Sequence, residues 1–541
     1  MVAIYLGLVA IVSGFAWRRL KVNAEDFWVA SRRLGFLVTF LSISATYHSA
    51  FAVLTSTAVS ATQGVAWWVG SFAWTTVAAL VVWLIGPRMW HLGRRYGYVT
   101  LADMISDFYQ SRGLRILVAS VMAVFVVPYV TVQAIAYGLI LDIGSGGAIP
   151  YEVGALALSL VTVAYIIVGG QRASSWVDVL QGIWMYVVVW VVAILVVVNA
   201  VGGPTALIDR ILATRPQLLT VSGTGFSAPL ALFSSVLLFG LALPITMQHL
   251  QMKLYAARDP PTIKWSAVAT AVYLSSLYIP AVFTGLTVAY LAGTGGMPSM
   301  AQIVATYGTE DAALPLLAVR YAPVLFVGVL FAGALAAAMS TQDNFFMATA
   351  VVVTHDIYRK GFRPAASERL VVNLGRVVMV ALAFVGWYLA VLRPGLIFDL
   401  VSLSIAGVLQ FVPAVFSIVF PARRVWLTKA GVGVGIAVGE IVTLLTLFGS
   451  RIGLPIPVNP FTLHAGVWGL IANLGVAFLV SLWTTPPTPE AQKRIHGFLE
   501  DQLYGGKAPS RAGPEDVSIA AKPSVGAADG SRSASRPLDN H

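Results

Sequence analysis

The sequence predicts an all-α polytopic membrane protein with about 13 transmembrane helices. Of its 541 residues, 58% are hydrophobic and only 11% are charged, and the mean hydropathy is +0.82. Soluble domains carry about 25% charged residues, whereas one membrane-spanning helix needs ~20 apolar residues in succession. The composition excludes a soluble enzyme and a nucleic-acid-binding module. We therefore expect the net charge of +11 to face the anionic lipid bilayer, with no nucleic-acid partner.

The apolar runs are continuous along the chain, whereas the strands of a membrane barrel alternate polar and apolar residues. Each run is therefore expected to be a helix. The predicted spans are residues 2–17, 34–62, 65–86, 116–142, 151–170, 176–200, 227–250, 266–292, 321–352, 371–392, 396–420, 431–449 and 463–484.

The basic residues predict the orientation of these helices. An odd number of spans puts the two termini on opposite sides of the membrane. If the N-terminus lies outside, 29 of the 34 Lys and Arg residues fall in cytoplasmic segments. This asymmetry favours an outside N-terminus and an inside C-terminus, because cytoplasmic loops carry the excess of basic residues.

The chain divides into a transmembrane domain, residues 1–484, and a cytoplasmic tail, residues 485–541. Prolines just after residue 484 end the last span. Residues 490–504 are expected to form a short amphipathic helix. Residues 505–541 are rich in Gly, Pro, Ser and Ala, a composition typical of disorder, and we expect no catalytic domain there.

Polar side chains inside a span are costly and are therefore candidates for function. The ninth span carries five consecutive polar residues, from Ser340 to Asn344, near its middle. One hydroxyl commonly bonds back to a carbonyl of the preceding turn, but that does not explain Asp343 and Asn344 beside two hydroxyls. This run predicts a buried ion or ligand site. Asp178 in span six is either a second functional carboxylate or a solvated helix end.

Two spans are predicted to be interrupted helices. In span two, Thr46 to Ser49 interrupt the apolar pattern, and irregular backbone at membrane depth is tolerated only where it lines a cavity or is covered by protein. Span seven has a comparable weak point at Gly240 and Pro244, although a lone proline is often an ordinary kink. Interrupted helices five spans apart are typical of a five-plus-five inverted repeat.

Oxygen atoms from spans two and nine suit a small hard cation such as Na+. The hydroxyls of Ser340 and Thr341, the carbonyl of Ala337 and carbonyls freed by a broken span two would surround the ion. No full charge is then a direct ligand, so binding can be weak and reversible, as a transport cycle requires. Asp343, on the same helix, would bias the ion path toward cations.

Five short motifs follow one another along the chain. They are Asn23 to Arg32; Thr100 to Met104 with Arg112; Gly169 to Arg172 with Trp176, Asp178 and Gln181; His249 with Lys253 and Tyr255 to Asp259; and Ala337 to Asp343 with Asp356 to Tyr358. In this order they resemble the signature segments of the sodium/solute symporter family. The resemblance extends from the first span through the eleventh.

This resemblance implies a LeuT-type fold whose inverted repeats cover approximately residues 34–200 and 227–420. It also implies a Na+ site between spans two and nine. Asp178 matches an acidic residue that family members place near the inner exit path of sodium. The implied sodium ligands are the carbonyls of Ser44 and Tyr47, the carbonyl of Ala337, and the hydroxyls of Ser340 and Thr341.

The expected solute is an organic carboxylate or an amino acid, because the segment from His249 to Asp259 is nearer to the monocarboxylate and pantothenate branches of the family than to its sugar branch. For Gln133, an interhelical hydrogen bond is an equally open interpretation. The candidates for solute contact are Thr46, His48, Ser49, Gln133 and Gly240.

We therefore expect a Na+-coupled symporter of the cell membrane that imports a small polar organic solute by alternating access, without enzymatic activity. Thr46 stands where proline permeases of the family carry an aspartate important for sodium, which leaves the arrangement of coupling open. The alternatives are a proton-coupled or uncoupled permease of the same fold and a membrane sensor of solute.

Overall fold

The structure, a computed structural model, describes residues 1–17, 24–221, 229–392, 397–421 and 427–505. Within these ranges, nine helices are long and apolar enough to cross a membrane, or eleven if each of two bent pairs is one span. The described elements are helical apart from one isolated β-bridge between Leu34 and Ala257. The all-α membrane fold is confirmed, whereas the count of 13 spans and the orientation of the termini stay predictions.

Seventeen labels cover the helices used below. They are α1 (Val2–Trp17), α2 (Phe36–Tyr47), α3 (Phe51–Gln63), α4 (Ala66–Tyr96), α5 (Leu101–Phe108), α6 (Arg112–Ser145), α7 (Tyr151–Val201), α8 (Pro229–Thr246), α9 (Gln248–Ala256), α10 (Pro260–Thr294), α11 (Val324–Phe362), α12 (Glu368–Val391), α13 (Ile397–Leu409), α14 (Val412–Val419), α15 (Lys429–Ile452), α16 (Ala465–Leu482) and α17 (489–504). Shorter helices cover Ala24–Val29, Pro204–Thr214, Met300–Tyr307 and Ala313–Tyr321.

Helix α7 contains a break that divides it into two parts of membrane length. Its 51 residues would extend for ~76 Å as one straight helix, far beyond a hydrocarbon core of ~30 Å. Gly170 interrupts it with φ of +56° and ψ of −158°. A Cβ there would lie 2.8 Å from the ring of Phe27, so the position favours glycine on both backbone and packing grounds. The break falls at the end of predicted span five.

The outer surface of the helices is apolar, as lipid contact requires. On the second part of α7, Val187, Val191 and Ile194 are exposed, whereas Met185 and Val188 are buried on the inner face. A water-soluble helix would place its polar residues on the exposed face. The exposed face of α7 is apolar instead, and we interpret it as a face that contacts lipid.

Helix α11 lies at the centre of the bundle. Every residue from Leu330 to Val351 is buried, including the polar run from Ser340 to Asn344. A helix that is buried on all faces must find partners for each polar group inside the protein. The hydrogen-bond partners of these polar side chains therefore show which helices pack around the middle of α11.

The segment beyond the last span folds back as α17, in agreement with the predicted helix. Arg494 forms an ion pair with Asp107 of α5 at 2.8 Å, and Tyr96 Oη donates to the Arg494 carbonyl at 2.7 Å. Ile495 and Leu499 are fully buried, so α17 has one apolar face. The tail predicted to be disordered, residues 505–541, lies outside the described residues from 506 onward, as do the basic residues Arg18, Arg19 and Lys21.

Candidate ion and solute site

The predicted break of span two is present between α2 and α3. These helices are bent by 63° relative to each other. The His48 N–H donates to the Ser44 carbonyl at 3.1 Å, which closes the last turn of α2. His48 itself has φ of −87° and ψ of 88°, outside the helical region. The chain therefore leaves the helical path at the polar residues that the sequence singled out.

Gln133 of α6 supports this break from the side. Its Oε1 accepts a hydrogen bond from the Ala50 N–H at 3.2 Å, and its Nε2 donates to the Tyr129 carbonyl at 3.2 Å. The first N–H groups of a helix have no partner within the helix. Gln133 supplies one for α3, so the structure shows the interhelical hydrogen bond that the sequence left open. Contact of Gln133 with solute stays a prediction.

Helix α11 brings two hydroxyls against the end of α2. Ser340 Oγ lies 2.9 Å from the Ala45 carbonyl and 3.0 Å from the Ala337 carbonyl. Thr341 Oγ1 lies 3.2 Å from the Thr46 carbonyl. All five oxygen atoms belong to buried residues. The predicted proximity of spans two and nine is therefore present in the structure.

The carbonyls that face these hydroxyls differ from the expected pair. Ser44 O accepts the backbone bond from His48, and Ser44 Oγ is 3.0 Å from Thr270 Oγ1 of α10. The Tyr47 side chain ends in a buried hydroxyl without a hydrogen-bond partner. The hydroxyls of α11 contact the carbonyls of Ala45 and Thr46, neither of which was named as a carbonyl ligand from the sequence. Five uncharged oxygen atoms meet here, and we call them the oxygen set: the carbonyls of Ala45, Thr46 and Ala337 and the hydroxyls of Ser340 and Thr341. Such a set fits a monovalent hard cation.

Asp178 lies in a fully buried polar network close to this oxygen set. Its Oδ2 accepts hydrogen bonds from Ser42 Oγ at 2.6 Å and from Lys253 Nζ at 2.7 Å. Neither side chain of the Asp178–Lys253 pair is exposed to solvent. The structure therefore excludes the alternative of Asp178 as a solvated helix end.

Asn344 joins this network to the oxygen set. Its Nδ2 lies 2.6 Å from the Ser340 carbonyl, 3.1 Å from Thr46 Oγ1 and 3.4 Å from both carboxylate oxygens of Asp178. It also lies 2.8 Å from Asp343 Oδ1. The Asn344 amide therefore contacts two residues of the oxygen set, Ser340 and Thr46, as well as both buried carboxylates.

The Asp343 carboxylate is held by a hydrogen bond from α7. Its Oδ2 accepts from Tyr165 Oη at 2.7 Å, on the first part of α7. Asp343 is therefore a neighbour of the oxygen set through Asn344. Its predicted place on the ion path stays a prediction.

Sequence reasoning missed the role of Lys253. The hydropathy pattern ends span seven near residue 250, which placed Lys253 in a loop. The structure instead continues as α9, where Lys253 is fully buried. The motif match at His249 and Lys253, four residues apart and hence on one helix face, was the available signal.

Two buried polar atoms near the break have no hydrogen-bond partner among the residues that the structure describes. His48 lies between the rings of Tyr273 and Tyr278, with centroid distances of 5.4 and 5.7 Å. Its Nδ1 is 3.3 Å from the Ser44 carbonyl, while its Nε2 is buried without a hydrogen-bond partner, like Tyr47 Oη. A buried polar atom without a partner in the protein can form a hydrogen bond with a ligand or with water. Ser49 Oγ accepts from the Phe51 N–H at 3.2 Å and so supports the first turn of α3.

The break of span seven lies later than the sequence indicated. Met247, with φ of −74° and ψ of 118°, separates α8 from α9. Gly240 lies seven residues earlier in a stretch of wide π-helical turns and packs on α4. A Cβ at Gly240 would lie 3.1 Å from the Trp74 carbonyl, which explains the need for a small residue. The weak point at Gly240 and Pro244 is therefore corrected to Met247, and solute contact by Gly240 stays a prediction.

Aromatic rings cover the break on the α3 side. Phe51 stacks on Phe239 at 5.7 Å between centroids, and it lies 5.9 Å from both Trp67 and Phe398. These residues belong to α3, α8, α4 and α13. His48, Ser49 and Gln133 have no exposed surface. Solute can therefore reach the break only when these helices move apart.

A charged cluster at the other end of the bundle holds α5, α6 and α11 together. Asp103, His355 and Asp356 present three ligand atoms within 4.8 Å of one another. Arg115 lies among them, 2.8 Å from Asp356, so we interpret the cluster as an ion-pair network. Burial alone would raise the pKa of Asp103, but His355 and Arg115 outweigh it and hold that pKa well below its usual value. Asp103 therefore stabilises the fold at neutral pH, and this contribution is lost as acid protonates it.

Helices interrupted within the bundle, one of them facing buried hydroxyls, are typical of ion-coupled membrane transporters. The sequence model of the "Sodium:solute symporter family" matches residues 27–436. The chain belongs to this family. Sodium is accordingly its coupled ion, and family and fold are those of membrane transporters of small solutes and not of enzymes.

Individual relatives agree with this assignment. The chain is 27% identical to the high-affinity proline transporter PutP of Bacillus subtilis, over 91% of this chain and 99% of the relative. It is 26% identical to the sodium/pantothenate symporter of Escherichia coli, over 65% of this chain and 71% of the relative. A Na+-coupled sialic acid symporter, solved in a substrate-bound outward-open state, superposes with a TM-score of 0.73 at 17% identity, covering 90% of this chain and 98% of that one. This structural similarity confirms the LeuT-type fold.

Proposed function

We propose that the protein couples the inward flow of sodium to the uptake of a small organic carboxylate or amino acid, by alternating access. The observation that carries the proposal is the contact of Ser340 and Thr341 with the carbonyls at the end of α2. Two relatives carry proline and pantothenate in their names, and both of these solutes contain a carboxylate. The site residues that follow are part of this proposal.

In this proposal, Na+ binds to the hydroxyls of Ser340 and Thr341 and to the carbonyls of Ala45, Thr46 and Ala337. Because the ligands come from both α2 and α11, the ion holds these helices together. Binding to one arrangement of the helices shifts the population toward it, by as much as the ion's affinities for the two arrangements differ.

The carboxylate of the solute would bind at the start of α3. The N-terminus of a helix carries a partial positive charge, which favours an anion, although Gln133 and Ser49 already accept from the Ala50 and Phe51 N–H groups here. His48 Nε2 and Tyr47 Oη, both without partners, would supply further hydrogen bonds. Phe51 and its aromatic neighbours would close over the bound solute.

The solute can be identified with purified full-length protein. A ligand that binds the folded state raises its melting temperature by mass action. We expect a carboxylate or amino acid to raise it, and by more in sodium than in choline. A sugar as the only ligand to do so would contradict the proposed solute class.

Transport is then tested in liposomes that contain only this protein. An inward sodium gradient is expected to drive accumulation of the identified solute, and a proton gradient in choline is not. Accumulation driven by protons would favour the proton-coupled permease, and equilibration without accumulation would favour the uncoupled one. Binding without any transport would favour the solute sensor.

The matched variants for this assay are S340A/T341A and T446A. Thr446 Oγ1 only bonds back to the Val442 carbonyl of its own helix. We expect T446A to keep the sodium stimulation of uptake and S340A/T341A to lose it. Equal sodium activation of both variants would reject the proposed ion site.

A further inference from the structure

The buried Lys253–Asp178 pair is a charge arrangement that the proposed sodium site does not use. The two groups are 2.7 Å apart, and neither is exposed to solvent. Breaking such a pair leaves an uncompensated buried charge, which is strongly destabilising. A buried ammonium fixed to the chain is therefore a permanent part of this interior.

The ammonium of Lys253 gives Asp178 a counter-ion that is fixed to the chain. Asp178 Oδ2 accepts hydrogen bonds from Ser42 Oγ at 2.6 Å and from Lys253 Nζ at 2.7 Å. With this pair in place, the uncharged oxygen set is the place left for one mobile cation. Without Lys253, the buried Asp178 would need a second mobile cation as its counter-ion.

The carboxylates lie close enough to the oxygen set to sense the ion. Asn344 Nδ2 contacts the Ser340 carbonyl, Thr46 Oγ1, Asp178 and Asp343 at 2.6–3.4 Å. Asp178 and Thr46 of the oxygen set thus contact the same amide group, and charges that lie this near to each other interact strongly where water is excluded. The charge of Lys253 therefore bears directly on how many mobile cations the site accepts.

We propose that Lys253 is a tethered cation of the transport cycle, which neutralises Asp178 and limits the coupled sodium to one ion per turnover. This inference rests on the proposed sodium site. It adds the number of ions and the residue that sets it.

The test counts radiolabelled Na+ bound at saturation, at pH 8 in choline buffer, to purified full-length variants. We expect one ion bound to the wild type and to D178N/K253M, in which both charges are removed. We expect two ions bound to K253M, because Asp178 then lacks its fixed counter-ion. K264M, which changes a lysine near the start of α10 and outside the network, is the control and is expected to bind one.

A further variant keeps the inference falsifiable if K253M does not fold. In D178N, the ammonium of Lys253 is unpaired and repels a cation at the oxygen set, so we expect sodium affinity at least tenfold below that of the wild type. Two ions bound to the wild type, one bound to K253M, or unchanged affinity in D178N would each overturn the inference. No sodium bound to the wild type would instead reject the proposed sodium site itself.

Discussion

The interruption between α2 and α3 and the one between α8 and α9 solve the same backbone problem in different ways. At the break between α8 and α9, glutamines of α9 act as partners for backbone groups. Gln251 Nε2 donates to the Ile245 carbonyl, and the Gln248 amide bonds to Leu101 N–H and the Val99 carbonyl at 3.0 Å each. At the break between α2 and α3, the carbonyls of Ala45 and Thr46 face the hydroxyls of α11.

This difference indicates distinct roles for the two breaks. A carbonyl that is paired with an amide of the protein has no need of an ion. A rotatable hydroxyl that faces a carbonyl can turn its O–H bond away, and both oxygen atoms can then bind a cation. This difference agrees with the proposed ion binding at the first break and favours a structural role for the second.

The largest stability effect is expected at the first break. Q133L removes the acceptor of the Ala50 N–H, and an unsatisfied buried group costs about 1–3 kcal/mol. Thermal unfolding with and without sodium measures it. The control is T131V on the same helix, because Thr131 Oγ1 only bonds back to the Val127 carbonyl. Equal stability of Q133L and T131V would show that Gln133 does not support the break.

A smaller loss of stability is expected at the second break. Q251L removes one donor to the Ile245 carbonyl, but it also removes the Gln251 Oε1 acceptor, which is buried without a partner. We expect a net loss of about 1 kcal/mol, with the sodium concentration for half-maximal uptake unchanged. A large change in that concentration would mean that the second break also holds the ion.

The smallest effect is expected far from both breaks. R494A removes the ion pair with Asp107, in which both side chains are more than 30% exposed. Exposed pairs contribute about 0.2–1 kcal/mol, and the contribution falls as salt rises. Unfolding at low and high ionic strength measures it. A loss as large as that of Q133L would show that α17 is a major support of the bundle.

Much of this arrangement could be predicted from the sequence, because polar residues in an apolar helix are costly and therefore informative. Ser340 and Thr341 in span nine, and the irregular stretch from Thr46 to Ser49, were found in this way. The carbonyl ligands were not, since every residue carries a carbonyl and only the three-dimensional path of α2 shows that Ala45 and Thr46 face α11. Met247 was missed because it carries neither the backbone freedom of glycine nor the missing N–H of proline.

The central claim is that Na+ lies between the end of α2 and the hydroxyls of α11. Experimental maps of the protein, prepared once in sodium and once in choline, test it most directly. The account predicts density for one ion in contact with the Ala45 and Thr46 carbonyls, Ser340 Oγ and Thr341 Oγ1, in sodium only. Direct hydroxyl-to-carbonyl hydrogen bonds at these positions in both maps would contradict it.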